Sequence, residues 1–441
     1  MDITNTTSRN KTLFQYVAPA VLTNACVFLF TIIDGIFVGR GVGSDALSAV
    51  NIAMPLVMIA TAINMLTSIG GVTVAAIRLG RGEKEGANPA FMHSLTANLI
   101  LAALMTILCV FFTEPVAQAL GAQAQYIQMP KEYIFWWGLF AIPCALSVNF
   151  QSFCRNDGSP GLVGTATVIS TVLNIFLDWL FVFPLHMGIR GAALATGLSQ
   201  TVSMLIVLMH FLLKKGDLRI RPFKPDAKLY RKVLFRGLPE MIAQFATPVT
   251  TICMNHVLMA QLGDIGINAF SIISYVSSLT MSVLAGASEG LQPLFGQSYG
   301  AKKEKDLKYY FRSGIVICLV GSALIVLLAI LLATPICTIF GASGQTLEFT
   351  VQHLPQYAWA FIVAGINTLI SAYLYSTKRS AYAIALNIVR SLVLNTIIIL
   401  GLPAVFGSGI VWFTFGISEC LVMVLAVILL KASEKNGIVY K

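Results

Sequence analysis

Charge is what this chain has least of. Only 11% of its 441 residues are Asp, Glu, Lys or Arg, against roughly 25% in an ordinary soluble domain, while 57% are hydrophobic. A mean hydropathy of +0.80 exceeds what one or two globular cores can absorb, which excludes a soluble protein. Histidine is scarce as well. None of the five belongs to a metal-ligand spacing or a Ser/His set, which argues against a membrane-embedded enzyme. The eight cysteines lie mostly inside apolar stretches and form no C-x-x-C, so neither a disulfide framework nor a zinc site is expected. No G-x-x-x-x-G-K-[ST] segment is present, which excludes that nucleotide-binding loop, and no cofactor is expected.

What the chain has in abundance is long apolar runs. Twelve stand between charged or Gly/Pro-rich breaks, at 13–38, 47–79, 91–112, 133–154, 162–184, 189–213, 233–262, 268–295, 311–333, 354–376, 381–402 and 410–430. A bilayer span takes about 20 residues, and lipid offers backbone groups no water, so these runs predict an all-α membrane protein of twelve transmembrane helices. The first lacks a short apolar core followed by a cleavage site and is expected to remain as a span. Of the 29 Lys and Arg, 25 fall on one side of the implied topology; Arg40, Lys131 and Arg190 fall on the other and Arg390 lies within a run. The net charge of +10 therefore reads as positive-inside loops, with no nucleic-acid partner. Both termini are placed in the cytoplasm.

Sliding the sequence on itself by 220 residues superimposes its halves: Pro19 meets Pro239, Gly43 meets Gly263, Gly70 meets Gly290, Pro115 meets Pro335 and Gly121-Ala122 meets Gly341-Ala342. Later, Leu173-Asn174 meets Leu394-Asn395, and Gly197 and Ser199 meet Gly416 and Ser418. Six spans per half make the repeats parallel. The expected organisation is an N-terminal lobe (1–213), a cytoplasmic linker (214–232) and a C-terminal lobe (233–441), two six-helix lobes around a central cavity that alternates its opening.

An ionisable group at a helix centre costs roughly 2.5–3.5 kcal/mol on insertion scales, so each one invites a reason. Asp34 in helix 1 and Asp178 in helix 5 lie at matching depth towards the external side. Asn174 is one turn before Asp178 on the same face, and Thr196 reaches a comparable depth in helix 6. Burial and mutual repulsion oppose ionising both acids, so the group can bind a proton or a small cation such as Na⁺, the Asn and Thr oxygens suiting the latter. At the repeat offsets Asp34 faces Met254 and Asp178 faces Ile399. The second lobe has lost both acids, which places ion coupling in the first. Arg390 and Glu419 share a mid-membrane depth on successive helices and are expected to form a structural ion pair. Glu289 and Gln200 are candidates for contacting substrate, Glu289 by attracting a cation.

Several segments resemble the multidrug and toxin extrusion (MATE) transporters. They are Asp34-Gly-Ile-Phe-Val-Gly-Arg-Gly-Val-Gly-Ser-Asp-Ala-Leu-Ser-Ala, Arg155-Asn-Asp-Gly-Ser-Pro, Leu173-Asn-Ile-Phe-Leu-Asp-Trp, Gly188-Ile-Arg-Gly-Ala-Ala-Leu-Ala-Thr and Gln292-Pro-Leu-Phe-Gly-Gln-Ser-Tyr-Gly-Ala. The resemblance covers nearly the whole chain and is nearest to the bacterial MepA-type branch. It implies a monomeric exporter in the bacterial cytoplasmic membrane that exchanges inward H⁺, or alternatively Na⁺, for hydrophobic or cationic drugs. A flippase of lipid-linked precursors, which the wider superfamily includes, is the further alternative, against which the mainly acidic deep charges argue. In one branch the cation network maps by motif onto Asp34, Asn174, Asp178 and Thr196. Another branch carries acids in helices 7 and 10, whereas here helix 10 has none and helix 7 only Glu240 at its edge.

Overall fold

The structure, a computed structural model, describes residues 6–120, 122, 127–339 and 343–435. Of the repeat pair Gly121-Ala122 and Gly341-Ala342, only Ala122 falls within them. Among the described residues every regular element is helical. Ten helices are long and apolar enough to cross a bilayer, and a bent pair makes an eleventh span. The twelfth is concealed in one continuous stretch, Ala246–Gly300, where Gly263 leaves helical geometry at φ 62°, ψ −149° and turns the chain back. A residue with a Cβ pays to hold that left-handed φ, so glycine marks the turn.

The fold is the twelve-helix arrangement. Span 1 is Thr6–Gly41, span 2 Ser44–Gly80 and span 3 Lys84–Phe111. Span 4 is Gln128–Leu139 plus Ala141–Asn156, bent by 50° at Phe140; spans 5 and 6 are Pro160–Val182 and Ile189–Leu212. Span 7 starts at Ala227 and ends at the Gly263 turn, and span 8 runs from there to Gly300. Span 9 is Glu304–Leu331, span 10 Gly344–Ala358 plus Ala360–Ser376, and span 12 Val411–Lys435. Span 11 is α-helical over Ser380–Ile388 and Asn395–Phe406, with a π-helical turn at Val389–Leu394 between.

The internal repeat is written into the backbone. Positive φ recurs at matched positions: Gly43 and Gly263, Gly82 and Lys302, Gly158 and Lys378, Gly188 and Gly407. Short helices Thr113–Ala119 and Ala333–Ile339 follow spans 3 and 9. The break in span 4 falls at Phe140 and that in span 10 at Trp359. In each half a glycine accepts the ring at the break: a Cβ on Gly197 would strike Phe140, and one on Gly416 would strike Trp359.

By contact the chain divides into two compact units, Leu22–Met241 and Met1–Val21 with Ile242–Lys441. Both boundaries fall just beyond the matched Pro19 and Pro239. The start of span 1 packs within the second unit, where Gly290 lets span 8 lie against the backbone of Tyr16 and Val17. The start of span 7 packs within the first, where Gly70 of span 2 meets the backbone of Val233 and Gly237. The segment 214–232 is held to the first unit along much of its length. Arg219 N–H donates to Asn88 Oδ1 (2.6 Å), Asp226 N–H donates to His93 Nε2 (2.8 Å), and the Asp157 carboxylate, its side chain 2% exposed, accepts from the N–H groups of Asp217 and Leu218.

Candidate ion-coupling site

The C-terminal ends of spans 1 and 5 are locked together. A Cβ on Gly41 would collide with Val182, and the Phe37 and Phe183 rings meet edge to face at 5.7 Å. Asp34 lies three residues before Phe37 and Asp178 four before Val182, so each acid sits one turn inward from the lock. Asp34 is 9% exposed, Asn174 2% and Asp178 fully buried. Asp178 feels the charge of Asp34, and buried Tyr133 of span 4 feels both.

The polar capacity of this group is unspent. Asp34 Oδ1, both Asp178 oxygens and both amide atoms of Asn174 are buried without a hydrogen-bond partner among the described residues. Groups of this kind are strongly unfavourable when charged and unpaired in a low-dielectric site. A proton neutralises one carboxylate and supplies a donor, while a small hard cation satisfies several oxygens together. Thr196 is half-buried on span 6; its carbonyl accepts from Ser199 Oγ (2.9 Å), and among the described residues its hydroxyl bonds neither acid. Tyr133 was not singled out from sequence, because an aromatic residue near an outer helix end has the signature of an interfacial anchor.

In the other half the equivalent positions carry no acid, although Asn395 Oδ1 is also without a partner among the described residues. Met254 and Ile399, standing where Asp34 and Asp178 stand, are fully buried in an apolar core, and Asn395, the counterpart of Asn174, donates to Thr250 Oγ1 at 2.5 Å.

Arg390 and Glu419 are in contact. Arg390 Nε donates to Glu419 Oε1 (2.9 Å), and its two Nη groups donate to Thr368 Oγ1 (3.0 Å) and the Ala364 carbonyl (3.3 Å). Asn367 Nδ2 donates to Glu419 Oε2 (2.8 Å). The pair lines a cavity of about 50 Å³ with Thr250, Tyr357 and Asn395, and Arg390 occupies the π-helical turn. Gln200 is the repeat counterpart of Glu419; its Oε1 accepts from Ser147 Oγ at 3.2 Å. That bond parallels Asn367 to Glu419 in neutral form, and Ser170, 220 residues before Arg390, donates to the Ser199 carbonyl (2.8 Å) where Arg390 reaches Glu419. Glu289 is half-buried on span 8 and engaged with a neighbouring group.

The MatE family profile matches this chain twice, over residues 19–180 and 239–400. The chain belongs to the MatE family. The MatE matches are themselves 220 residues apart, one per repeat, and together cover well over half of the sequence. Two curated relatives are both called "Multidrug export protein MepA". That of Staphylococcus saprophyticus is 23% identical over 406 residues, covering 91% of this chain and 89% of the relative, and that of Staphylococcus haemolyticus is 22% identical with the same coverage. Among solved structures, a mutant of the Vibrio cholerae MATE transporter VcmN superimposes with a TM-score of 0.91 at 21% identity, covering 98% of this chain and 99% of that one. An outward-facing "multidrug resistance MATE family transporter of the MOP superfamily" gives 0.90 at 23% identity, with coverage of 97% and 96%. These MatE likenesses establish the fold and a multi-span transporter of the cell membrane.

Proposed function

We propose that this MatE transporter exports hydrophobic and cationic drugs from a bacterial cell by antiport against inward H⁺, with both termini in the cytoplasm. The observation that carries the reading is the asymmetry between the repeats. Asp34, Asn174 and Asp178 are buried without partners in the first, whereas Met254, Ile399 and a hydrogen-bonded Asn395 stand in the second. A packing device common to a six-helix unit would serve both copies, and this one serves a single copy. Protonation at Asp34 or Asp178 favours one arrangement of the lobes and drug binding the other, so the two compete by linkage. Each net charge entering releases about 2.3 kcal/mol per 100 mV, which sustains roughly a fifty-fold drug gradient. The MepA names of the relatives support drugs as the cargo.

Na⁺ is the second reading, favoured by Asn174 and Thr196, whose neutral oxygens suit a hard ion more than a proton. Proteoliposomes loaded with a fluorescent cation separate the two. Efflux driven by an imposed pH gradient without Na⁺, and abolished by both Asp34→Asn and Asp178→Asn in folded protein, supports H⁺. Efflux that needs a Na⁺ gradient supports Na⁺. Normal gradient-driven transport by both variants removes the N-terminal site from the mechanism.

A further inference from the structure

A groove of about 700 Å³ opens between the start of span 1 and the start of span 9, lined by Arg9 and Leu13 on one side and Lys305, Lys308, Tyr309 and Arg312 on the other. Both walls belong to one compact unit. Arg9 is committed: it pairs with Asp306 at 2.5 Å and lies over the Tyr309 ring at 5.5 Å, while the Tyr309 hydroxyl donates to Asn10 Oδ1. These contacts fix the groove's shape. Lys305, Lys308 and Arg312 are different. They are exposed, recur at one-turn spacing on a single face of span 9, and have no carboxylate partner among the described residues. Asp306 points inward, 5% exposed and paired with Arg9, so it does not neutralise them.

The same face continues upward as Val316 and Ile317, which complete the groove, and then as Val320; Val316 is 57% exposed and Val320 62%. From Lys305 to Val320 the surface therefore passes from three basic side chains to bare apolar ones over about four helical turns. A free anion fits only the first part, and an uncharged lipid only the second. We infer that this groove is a binding site for an anionic phospholipid, its phosphodiester held by Lys305, Lys308 and Arg312 and its acyl chain lying along Val316 and Val320. Basic pockets between helices on the cytoplasmic side are suited to such headgroups, and long Lys and Arg side chains place their charges at headgroup depth while their stems cover apolar surface. Arg312 adds a fork that accepts a phosphate through two hydrogen bonds.

The test uses the full chain purified in detergent and titrated with dioleoyl phosphatidylglycerol or dioleoyl phosphatidylcholine, with bound lipid read by native mass spectrometry. Wild type is expected to hold phosphatidylglycerol in clear preference to phosphatidylcholine. Each Lys or Arg changed to Gln weakens phosphatidylglycerol about fivefold, so K305Q/K308Q/R312Q weakens it about a hundredfold. The control K214Q/K215Q/K224Q removes as much charge from another basic loop and leaves the affinity unchanged. Unchanged phosphatidylglycerol affinity in the first triple variant, or an equal loss in the control, overturns the site. Displacement of the lipid by an equal concentration of inorganic phosphate overturns the lipid assignment. The changes lie on exposed side chains, and an unaltered unfolding midpoint in phosphatidylcholine checks the fold; K308Q alone carries the test if the triple variant does not accumulate.

Discussion

The buried pair in the second lobe offers a double-mutant experiment for which the first lobe supplies the design. Glu419 is 2% exposed and Arg390 8%. Changing Arg390→Ile strands a carboxylate whose remaining described donor is Asn367, and the loss for one partner of a buried pair is about 3–5 kcal/mol. Glu419→Gln is milder, because Arg390 keeps Thr368 and the Ala364 carbonyl as acceptors and Gln retains an oxygen for Asn367; about 2–3 kcal/mol is expected, the cost of an imperfectly satisfied buried charge. The double variant R390I/E419Q replaces the ion pair by an apolar side chain and a neutral amide, the latter being what stands in the other repeat as Gln200 bonded to Ser147. It carries no buried charge and is expected within about 1 kcal/mol of wild type. The coupling energy is therefore at least about 4 kcal/mol. Unfolding followed by intrinsic fluorescence in one detergent at one heating rate reads this directly. At about 2–4 °C per kcal/mol for a unit of this size, Arg390→Ile falls by about 6–20 °C and the double variant recovers nearly all of it. A double variant as unstable as Arg390→Ile would refute the argument, since the loss would then not come from a stranded charge.

Further outcomes follow from other parts of the fold. Asp178→Asn is expected to unfold no lower than wild type while losing gradient-driven efflux, because the acid has no hydrogen-bond partner to lose among the described residues; a drop of several degrees would mark it as a structural group. Gly158→Ala meets no atom within 4 Å, yet its φ of +88° costs a Cβ about 1 kcal/mol, whereas Lys378→Gly at the matched position relieves a φ of +64° and should not destabilise. Gly197→Ala and Gly416→Ala each drive a methyl into a ring and should cost about 1–3 kcal/mol or more, with Phe140→Leu rescuing the first but not the second. His93→Phe removes the acceptor for Asp226 N–H and should raise amide hydrogen exchange around that residue without affecting Thr196 or Asp178.

Much of this architecture was legible in residue types. Apolar length marked twelve spans because a bilayer imposes length directly, and the offset of 220 residues reappears in matched backbone angles such as Gly82 with Lys302. Depth along the helix, counted from the charged loops, singled out Arg390 with Glu419, which the structure brings within 2.9 Å. It also singled out Asp34 with Asp178, which are buried and interact electrostatically, while leaving Thr196 without a bond to either. What local pattern did not carry is which neighbour an element meets. Gly70 and Gly290 read as any glycine of an apolar run, yet each admits the backbone of the opposite half's first span. The interruption at Phe140 did carry a signal, Pro143, which has no N–H for the Leu139 carbonyl, whereas Tyr133 looked like an interfacial anchor. The span 214–232 looked like a tether by charge, and its ties to Asn88, His93 and Asp157 depend on atoms far away in sequence.

The crossing of ownership at Val21 and Met241 bears on how such a chain arises and how it can be dissected. Each unit recruits its first twenty or so residues from the start of the other half, the pattern of an arm-exchanged dimer whose protomers have been joined end to end. Fragments cut between the repeats would therefore each lack the short stretch of helix, about half a span, that the other half supplies to their packing.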